Sequence, residues 1–262
     1  MSAEMLEFVR LAPLGFLVGA YGTLVGAGGG SVLVPILLIL LPNESPATVT
    51  AISLAVVFFN AYSGTIAYIR MGRVDYRSAV LFTVSGLPGA ILGTILVRDV
   101  PRHLFDPAFG VLLVCLGGFL VVSPLDGRAI PEANAHSPSP RLDYIGAIGS
   151  GYIGVLSSLL GIGGGIIHVP FLIRFLGFSP HVATATSHFV LTFMALAASV
   201  THVVAGEFEH GMLQTLSLAV GVMMGAPIGA AASTRLQGSL IVRILAIALS
   251  LVGLRLLASY FW

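Results

Sequence analysis

The stretch Gly26-Ala27-Gly28-Gly29-Gly30, followed by Ser31-Val32-Leu33-Val34-Pro35, lies between two uncharged apolar segments. The pattern returns half a chain later as Gly161-Ile162-Gly163-Gly164-Gly165, followed by Ile166-Ile167-His168-Val169-Pro170. Because glycine weakens a helix by about 1 kcal/mol per residue and exposes its backbone, three consecutive glycines inside apolar sequence need a reason. The pattern predicts a helix that breaks at the glycines. The alternative is close packing of helices through small residues.

A helix break at membrane depth predicts a binding site. Non-helical backbone persists in a bilayer only where protein or a water-filled cavity covers it. The second arm of the broken helix begins there with unpaired amides and the positive end of its dipole, which together attract anions. We therefore predict that the two arms face one anion near the membrane midplane. The residues predicted to bind it are Gly29, Gly30 and Ser31 in the first copy, and Gly164, Gly165 and Ile166 in the second.

The composition excludes a soluble globular domain. The 262 residues are 56% hydrophobic and 9% charged, with a mean hydropathy of +1.01, whereas about a quarter of the residues of soluble domains are charged. The chain is therefore predicted to be a polytopic protein with the lipid bilayer as a partner. A net charge of +1 gives no field for nucleic acid. The single cysteine, Cys115, excludes an intrachain disulfide and a cysteine metal cluster, and we predict no metal and no cofactor.

Apolar segments of spanning length follow one another in two sets. Residues 1–123 hold the first set of four, and residues 142–262 hold the second, each opening with its glycine-broken unit. Residues 124–141, rich in proline and polar groups, are the predicted linker. The sequence thus predicts an all-α membrane fold of two homologous repeats. The repeat also aligns Thr50-Ala51-Ile52-Ser53 with Thr184-Ala185-Thr186-Ser187, Gly72 with Gly206, and Pro88-Gly89-Ala90 with Pro227-Ile228-Gly229.

The relative orientation of the two repeats depends on whether each broken unit is re-entrant or a discontinuous span. At about thirty residues, each unit is long enough for a re-entrant hairpin. Arg70, Arg73 and Arg77 mark one loop as cytoplasmic, whereas the equivalent loop at 207–210 has no arginine. This asymmetry favours inverted repeats. Arg98 and Arg102 disagree with that assignment.

Serines and histidines within the spans are further candidates for substrate contact. Ser53 and Ser187 occupy matching positions beside the glycine units and are predicted to bind substrate, although such serines often only join helices. His168, His188 and His202 lie in apolar runs of the second half and are a possible proton or charge relay. His188, next to Ser187, is also a predicted substrate ligand. The alternative for each histidine is a neutral ring bonded between helices, and an interfacial position explains His202.

Asn60 and two pairs of glycines predict helix contacts. Asn60 lies in the middle of a span, where its amide needs partners, and helix contact is slightly favoured over pore lining. The glycines lie four residues apart and predict close-packed helix faces. They are Gly89 with Gly93, and Gly225 with Gly229.

The doubled glycine motif with its trailing Val-Pro, the segment Ala183-Thr184-Ala185-Thr186-Ser187 and Pro88-Gly89-Ala90 resemble the TauE/SafE family of sulfite and sulfonate exporters, similar to 4-toluene sulfonate uptake permeases. The resemblance covers about residues 14–259. It implies a multi-pass transporter of the bacterial cytoplasmic (inner) membrane. Its substrate would be a small sulfur-containing anion such as sulfite or sulfoacetate.

Three functional classes follow from these observations. The first is a secondary transporter that exports the anion by alternating access, without enzymatic activity. An anion channel or facilitator with a glycine-rich filter is the alternative. An intramembrane enzyme fits less well, because Ser187 and His188 are neighbours on one helix and cannot act on each other as nucleophile and base. The oligomeric state remains open.

Overall fold

The computed structural model describes residues 3–122, 140–208, 211–236 and 238–261, and these ranges fold into helices and turns without a strand. The predicted linker lies outside the described residues except for Pro140 and Arg141, which open a helix. The helices are α1 Ala3–Val25, α2 Gly30–Leu40, α3 Pro46–Arg70, α4 Tyr76–Leu96, α5 Arg102–Val122, α6 Pro140–Leu159, α7 Gly165–Leu176, α8 Pro180–Val204, α9 Met212–Ser233 and α10 Gly238–Phe261, with a 3₁₀ turn at Val97–Asp99.

The helices have the lengths of a membrane protein. In the described ranges, four segments are long and apolar enough to cross a bilayer, namely Pro46–Arg70, Tyr76–Asp99, Pro180–Val204 and Met212–Ser233. Three shorter apolar stretches lie at Leu11–Val25, Gly30–Leu40 and Gly165–Leu176. The predicted all-α membrane class is confirmed.

The two 25-residue helices α3 and α8 pack together at the centre of the fold and run antiparallel. The Thr65 and Thr192 hydroxyls lie 3.0 Å apart, and the Asp75 amide, beyond the end of α3, donates to Thr186 near the start of α8. Both helices begin at a Ser-Pro pair, which suits a helix start because proline at the first position gives up no hydrogen bond. The centre of the protein is therefore built from one long helix of each half of the chain.

Glycine faces join each half to the other, in the parallel pairs α1–α9 and α4–α6. A Cβ on Gly225 would overlap the Phe16 carbonyl oxygen, and one on Gly229 would overlap that of Ala20. In the other pair Gly89 and Gly93 meet the carbonyls of Gly151 and Val155 in the same way. The predicted close-packing role of these four glycines is confirmed.

These glycine contacts correct the alignment of the two halves. Phe16 and Ala20 precede the first glycine unit by the same intervals at which Gly151 and Val155 precede the second. Since Gly225 meets Phe16 and Gly89 meets Gly151, the structural counterpart of Gly89 is Gly225. The predicted match of Pro88-Gly89-Ala90 with Pro227-Ile228-Gly229 is therefore out of register by three residues. Local likeness around a proline misled the alignment, whereas the packing partners define the correct one.

Arg102 ties the first turn of α5 to the end of α2. Its guanidinium donates to the carbonyl oxygens of Leu38, Leu41, Pro42 and Glu44 at 2.6–3.0 Å, and it also pairs with Asp106. The last carbonyls of a helix lack intrahelical donors, so this arginine satisfies groups that would otherwise be unpaired. Arg102 thus has a structural role at the end of α2.

Candidate functional site

Two glycine loops interrupt the helices at equivalent places. α1 ends at Val25 and α2 begins at Gly30, while α6 ends at Leu159 and α7 begins at Gly165. Six glycines in these loops have φ between 69° and 103°, a region that only glycine enters without strain. They are Gly26, Gly28 and Gly29 in the first loop, and Gly161, Gly163 and Gly164 in the second.

The amides of each loop divide into two groups. Those of Gly26, Ala27 and Gly28 donate back to the carbonyls of Gly22 and Thr23, at the end of α1. The amides of the next three residues donate no backbone hydrogen bond described for the loop. In the second loop, likewise, three amides donate back to the preceding helix and the next three do not. The amides free of these bonds belong to the six residues predicted to bind an anion, namely Gly29, Gly30, Ser31, Gly164, Gly165 and Ile166.

The loops touch each other in the middle of the fold. A Cβ on Gly30 would lie 2.9 Å from the Gly161 carbonyl oxygen, and one on Gly165 would overlap that of Gly26. Both loops also contact Val57 and Leu191, which lie one residue before the centres of α3 and α8. The loops therefore meet at mid-depth.

The two glycine loops pack directly against each other. Gly30 and Gly165 are both buried. Neither cavity described for the protein borders a glycine loop. One of these cavities, of about 410 Å³, lies between the α2–α3 turn and the start of α9. It reaches Ile52, the neighbour of Ser53.

The two matching serines differ in their bonds. Ser53 donates to the Gly161 carbonyl oxygen at 2.7 Å, so a helix of the first half holds the loop of the second. Ser187 is completely buried, yet its hydroxyl has no hydrogen-bond partner, and the same holds for Ser31. Buried hydroxyls are normally bonded, so Ser31 and Ser187 are available to a ligand in a way that Ser53 is not.

The three histidines contact different parts of the fold. His168 Nε2 lies 2.9 Å from the Ser150 hydroxyl, and its ring packs on Phe82 and Phe171. This is the contact between helices that sequence analysis held as the alternative. Because His168, His188 and His202 share none of their described partners, the structure shows no direct connection among them for a relay.

His188 is completely buried beside Tyr68, with ring centroids 5.5 Å apart. Neither ring nitrogen makes a hydrogen bond of normal geometry, although the backbone of Thr184, one turn earlier, lies within interacting range. His188 is therefore an imidazole with unused hydrogen-bonding capacity inside the protein.

His202 is also completely buried, and it lies two residues before the end of α8. Its Nδ1 bonds to Glu207, just beyond α8, and Glu207 in turn pairs with Arg98 at 2.9 Å. This network could not be predicted from the sequence, because Arg98 lies more than a hundred residues from Glu207.

A polar cluster that was not predicted from the sequence lies around Gly64. The Tyr68 hydroxyl donates to the Thr23 carbonyl oxygen at 2.6 Å, and the Thr23 hydroxyl donates to Asn60 Oδ1 at 3.0 Å. A Cβ on Gly64 would lie within 3.1 Å of both Thr23 and His188. The isolated Asn60 in an apolar span was the available signal, and its predicted helix contact is confirmed by the bond from Thr23 on α1. We call Thr23, Asn60, Tyr68 and His188 the Asn60 cluster.

Comparison with known proteins identifies the family. The family model described as "Sulfite exporter TauE/SafE" matches residues 11–256 of this chain. The chain belongs to the TauE/SafE sulfite exporter family. It is 32% identical over 272 residues to "Probable membrane transporter protein YunE" of Bacillus subtilis (strain 168), covering 96% of this chain and 98% of that protein. It is 26% identical over 254 residues to "Probable membrane transporter protein y4hK" of Sinorhizobium fredii (strain NBRC 101917 / NGR234), with coverage of 96% and 98%.

A third relative is "Sulfite exporter TauE/SafE family protein 6" of Arabidopsis thaliana, 29% identical over 110 residues, or 41% of this chain and 25% of that protein. No solved structure matches the chain. The TauE/SafE chain is thus an integral membrane protein of a transporter family, and the names of its relatives support a role without catalysis. Within the described ranges, no three His, Cys, Asp or Glu side chains form a set of metal ligands.

Proposed function

We propose that this protein is a secondary transporter that exports a small sulfur-containing oxyanion, such as sulfite or sulfoacetate, across the bacterial inner membrane by alternating access. The observation that carries the proposal is the mutual contact of the two glycine loops at mid-depth, between equivalent helices of opposite direction. Such paired helix breaks are typical of transporters that bind substrate at the repeat interface.

The antiparallel course of α3 and α8 supports inverted repeats. Two equivalent helices that run in opposite directions are related by rotation about an axis perpendicular to both. If both cross one bilayer, that axis lies in the membrane plane. Each half then presents its glycine loop to the axis from the opposite side of the membrane.

The parallel pairing of α1 with α9 supports a re-entrant unit. α9 begins at the face where α8 ends, and this is the face where α3 begins. Since α1 runs parallel to α9 and α2 leads into α3, α1 enters from that face and α2 returns to it. The same reasoning applies to α6 and α7 at the opposite face.

The two arginines that disagreed with the orientation both have local partners. Arg98 pairs with Glu207, and Arg102 is bonded to the end of α2 and to Asp106. An arginine with such partners is a weaker guide to orientation than an unpaired one. The face at the end of α3, which carries Arg70 and Arg73, is then cytoplasmic.

The unpaired loop amides supply the chemistry. Six amides from two helix N-termini lie at the repeat interface and suit the oxygens of a small anion, with the Ser31 and Ser187 hydroxyls beside them. No positively charged side chain is needed for this mode of binding. The membrane potential favours export, because one negative charge moving outward gains about 2.3 kcal/mol per 100 mV, inside negative.

The packed loops favour a carrier over the alternative channel. A pore needs a continuous path, whereas the loops are buried against each other and must separate to admit an anion. A carrier exposes its site to one face at a time, which agrees with a closed arrangement of this kind.

Flux measurements on proteoliposomes test the proposal. We expect radiolabelled sulfite efflux to saturate with concentration, to accelerate when unlabelled sulfite is added outside, and to increase with an inside-negative potential. Sulfoacetate, sulfate, thiosulfate and taurine as competitors would define the substrate. Flux that neither saturates nor responds to external sulfite would support a channel, and absence of flux for every sulfur oxyanion would contradict both.

A further inference from the structure

The two halves differ most in side-chain chemistry around the Asn60 cluster. The match of Thr50 with Thr184 extends along α3 and α8 and pairs Asn60 with Met194, and Gly64 with Ala198. In the same register His188 corresponds to Leu54. Asn60 and His188 therefore have apolar counterparts in the other half, whereas Tyr68 corresponds to His202. Symmetric packing does not require this difference.

The cluster brings three helices to one point. Thr23 lies near the end of α1, Asn60 and Tyr68 on α3, and His188 on α8. Gly64 is the point of convergence, since its absent Cβ would be 2.7 Å from His188 Cδ2 and 2.9 Å from Thr23 Cγ2. Only a residue without a side chain allows these groups to approach so closely. All four members of the cluster are at most 1% exposed.

The cluster holds donors that the protein itself does not use. Asn60 Oδ1 accepts from Thr23, but Asn60 Nδ2 has no partner, and the His188 ring makes no hydrogen bond of normal geometry, with only the Thr184 backbone within interacting range. A buried donor without an acceptor carries an uncompensated desolvation cost, so such groups are rare unless they serve another purpose. Asn60 lies one turn before Gly64 on α3, and His188 contacts Gly64 from α8, in the other half of the fold.

We propose that Asn60 and His188 form a donor pair for the transported oxyanion and that Asn60 is a specificity-determining residue. The inference rests on the proposed function and adds a named side-chain site to its loop amides. Two neutral donors on different helices bind two separate oxygens of one oxyanion. A halide is a single atom and has no such pair of oxygens. Because the groups around Gly64 are in contact in the described arrangement, an anion can enter only after α8 moves away from α1 and α3.

The position of the cluster gives the two membrane faces different affinities. Asn60, Gly64 and Tyr68 lie in the second half of α3, which leads to the arginine-bearing face. The equivalent positions in the other half are Met194, Ala198 and His202, so the amide of Asn60 has no polar counterpart there. We therefore expect half-saturation at a lower sulfite concentration from the arginine-bearing face than from the other.

Sulfite binding by the full-length protein in detergent, measured by calorimetry, tests the donor pair. Asn60→Leu removes the unused amide and keeps the branched shape of the side chain, and we expect the dissociation constant to rise about tenfold or more, as for loss of a hydrogen bond to a charged group. Asn60→Gln keeps an amide and is expected to lose less affinity. Met194→Leu, the matched change in the other half, should bind sulfite as the wild type does.

The rise in melting temperature on adding sulfite separates a binding role from a structural one. Asn60→Leu also removes the acceptor of the Thr23 hydroxyl, so its melting temperature without ligand is expected to fall. A donor kept for a ligand predicts in addition that the variant loses the rise that sulfite causes. An unchanged dissociation constant, a lower melting temperature with intact binding, or loss of the folded protein would each overturn the inference. If the wild type binds and carries no sulfur oxyanion, the proposed function fails as well, whereas normal binding by Asn60→Leu rejects the donor pair alone.

Discussion

The turns that follow α3 and α8 have the same backbone and opposite chemistry. In each, a glycine with positive φ, Gly72 or Gly206, follows the helix, and the next amide donates to a carbonyl five residues earlier. At the first turn that carbonyl belongs to Tyr68 and the amide to Arg73; at the second they belong to His202 and Glu207.

The side chains at these two turns have different partners. Tyr68 points inward to Thr23, and Arg73 Nη1 is buried without a hydrogen bond. His202 and Glu207 instead form an ionic network with Arg98. The two turns therefore share a backbone, while their side chains diverge where the two halves meet different surroundings. The glycine loops and their serines follow the same rule, which three experiments test.

The largest effect is expected at the contact between the loops. In Gly165→Ala the new methyl group would overlap the Gly26 carbonyl oxygen, and we expect a loss of about 3 kcal/mol in the free energy of unfolding. Gly30→Ala meets the opposite backbone at 2.9 Å and should lose less. Thermal unfolding in detergent measures both.

Gly118→Ala is the matched control for these loop variants, because no atom lies within 4 Å of the added methyl. It should be at least as stable as the wild type, since alanine favours the helix. Equal stability of Gly165→Ala and Gly118→Ala would contradict the described contact between the loops.

An intermediate effect is expected at the two turns. Glu207→Gln breaks the pairing with Arg98 and with the buried His202, and we expect a loss of about 2 kcal/mol. Arg73→Gln removes a side chain with an unpaired buried nitrogen, so the change should stay within about 0.5 kcal/mol. Denaturation of the two variants side by side would show whether the turns differ as described; equal losses would mean that they do not.

The smallest effect separates the two serines. Ser53→Ala removes the bond to the Gly161 carbonyl oxygen and should cost about 1 kcal/mol. Ser187→Ala removes a hydroxyl without a partner, so stability should not fall. If Ser187 binds the anion, the sulfite dissociation constant rises in Ser187→Ala. A stability loss in Ser187→Ala as large as that in Ser53→Ala would remove the distinction.

Much of the helical order was predictable because its signals are local. Segment length and hydropathy marked the spans, and a run of glycines marked the places where φ becomes positive. The close-packing glycines were also predictable, since a spacing of four puts residues on one helix face. The alignment at Pro88 was wrong because local likeness in a few small residues carries little information about packing partners.

The candidate site was predictable only in part. The unpaired loop amides belong to the six residues chosen from sequence, because helix N-termini always leave such donors. The Asn60 cluster was missed, since Thr23, Asn60 and His188 come from three separate segments. The network of His202 with Glu207 and Arg98 could not be predicted, because Arg98 lies in a distant segment of the chain.

Hydrophobicity and glycine conformation act within one segment, so the sequence alone predicts a helical membrane protein with a helix break at each glycine run. Only the tertiary contacts show that the loops touch, that α3 and α8 run antiparallel, and that Thr23 and His188 approach one glycine. These features depend on contacts between residues far apart in the chain. Such contacts leave no periodic pattern in either segment taken separately.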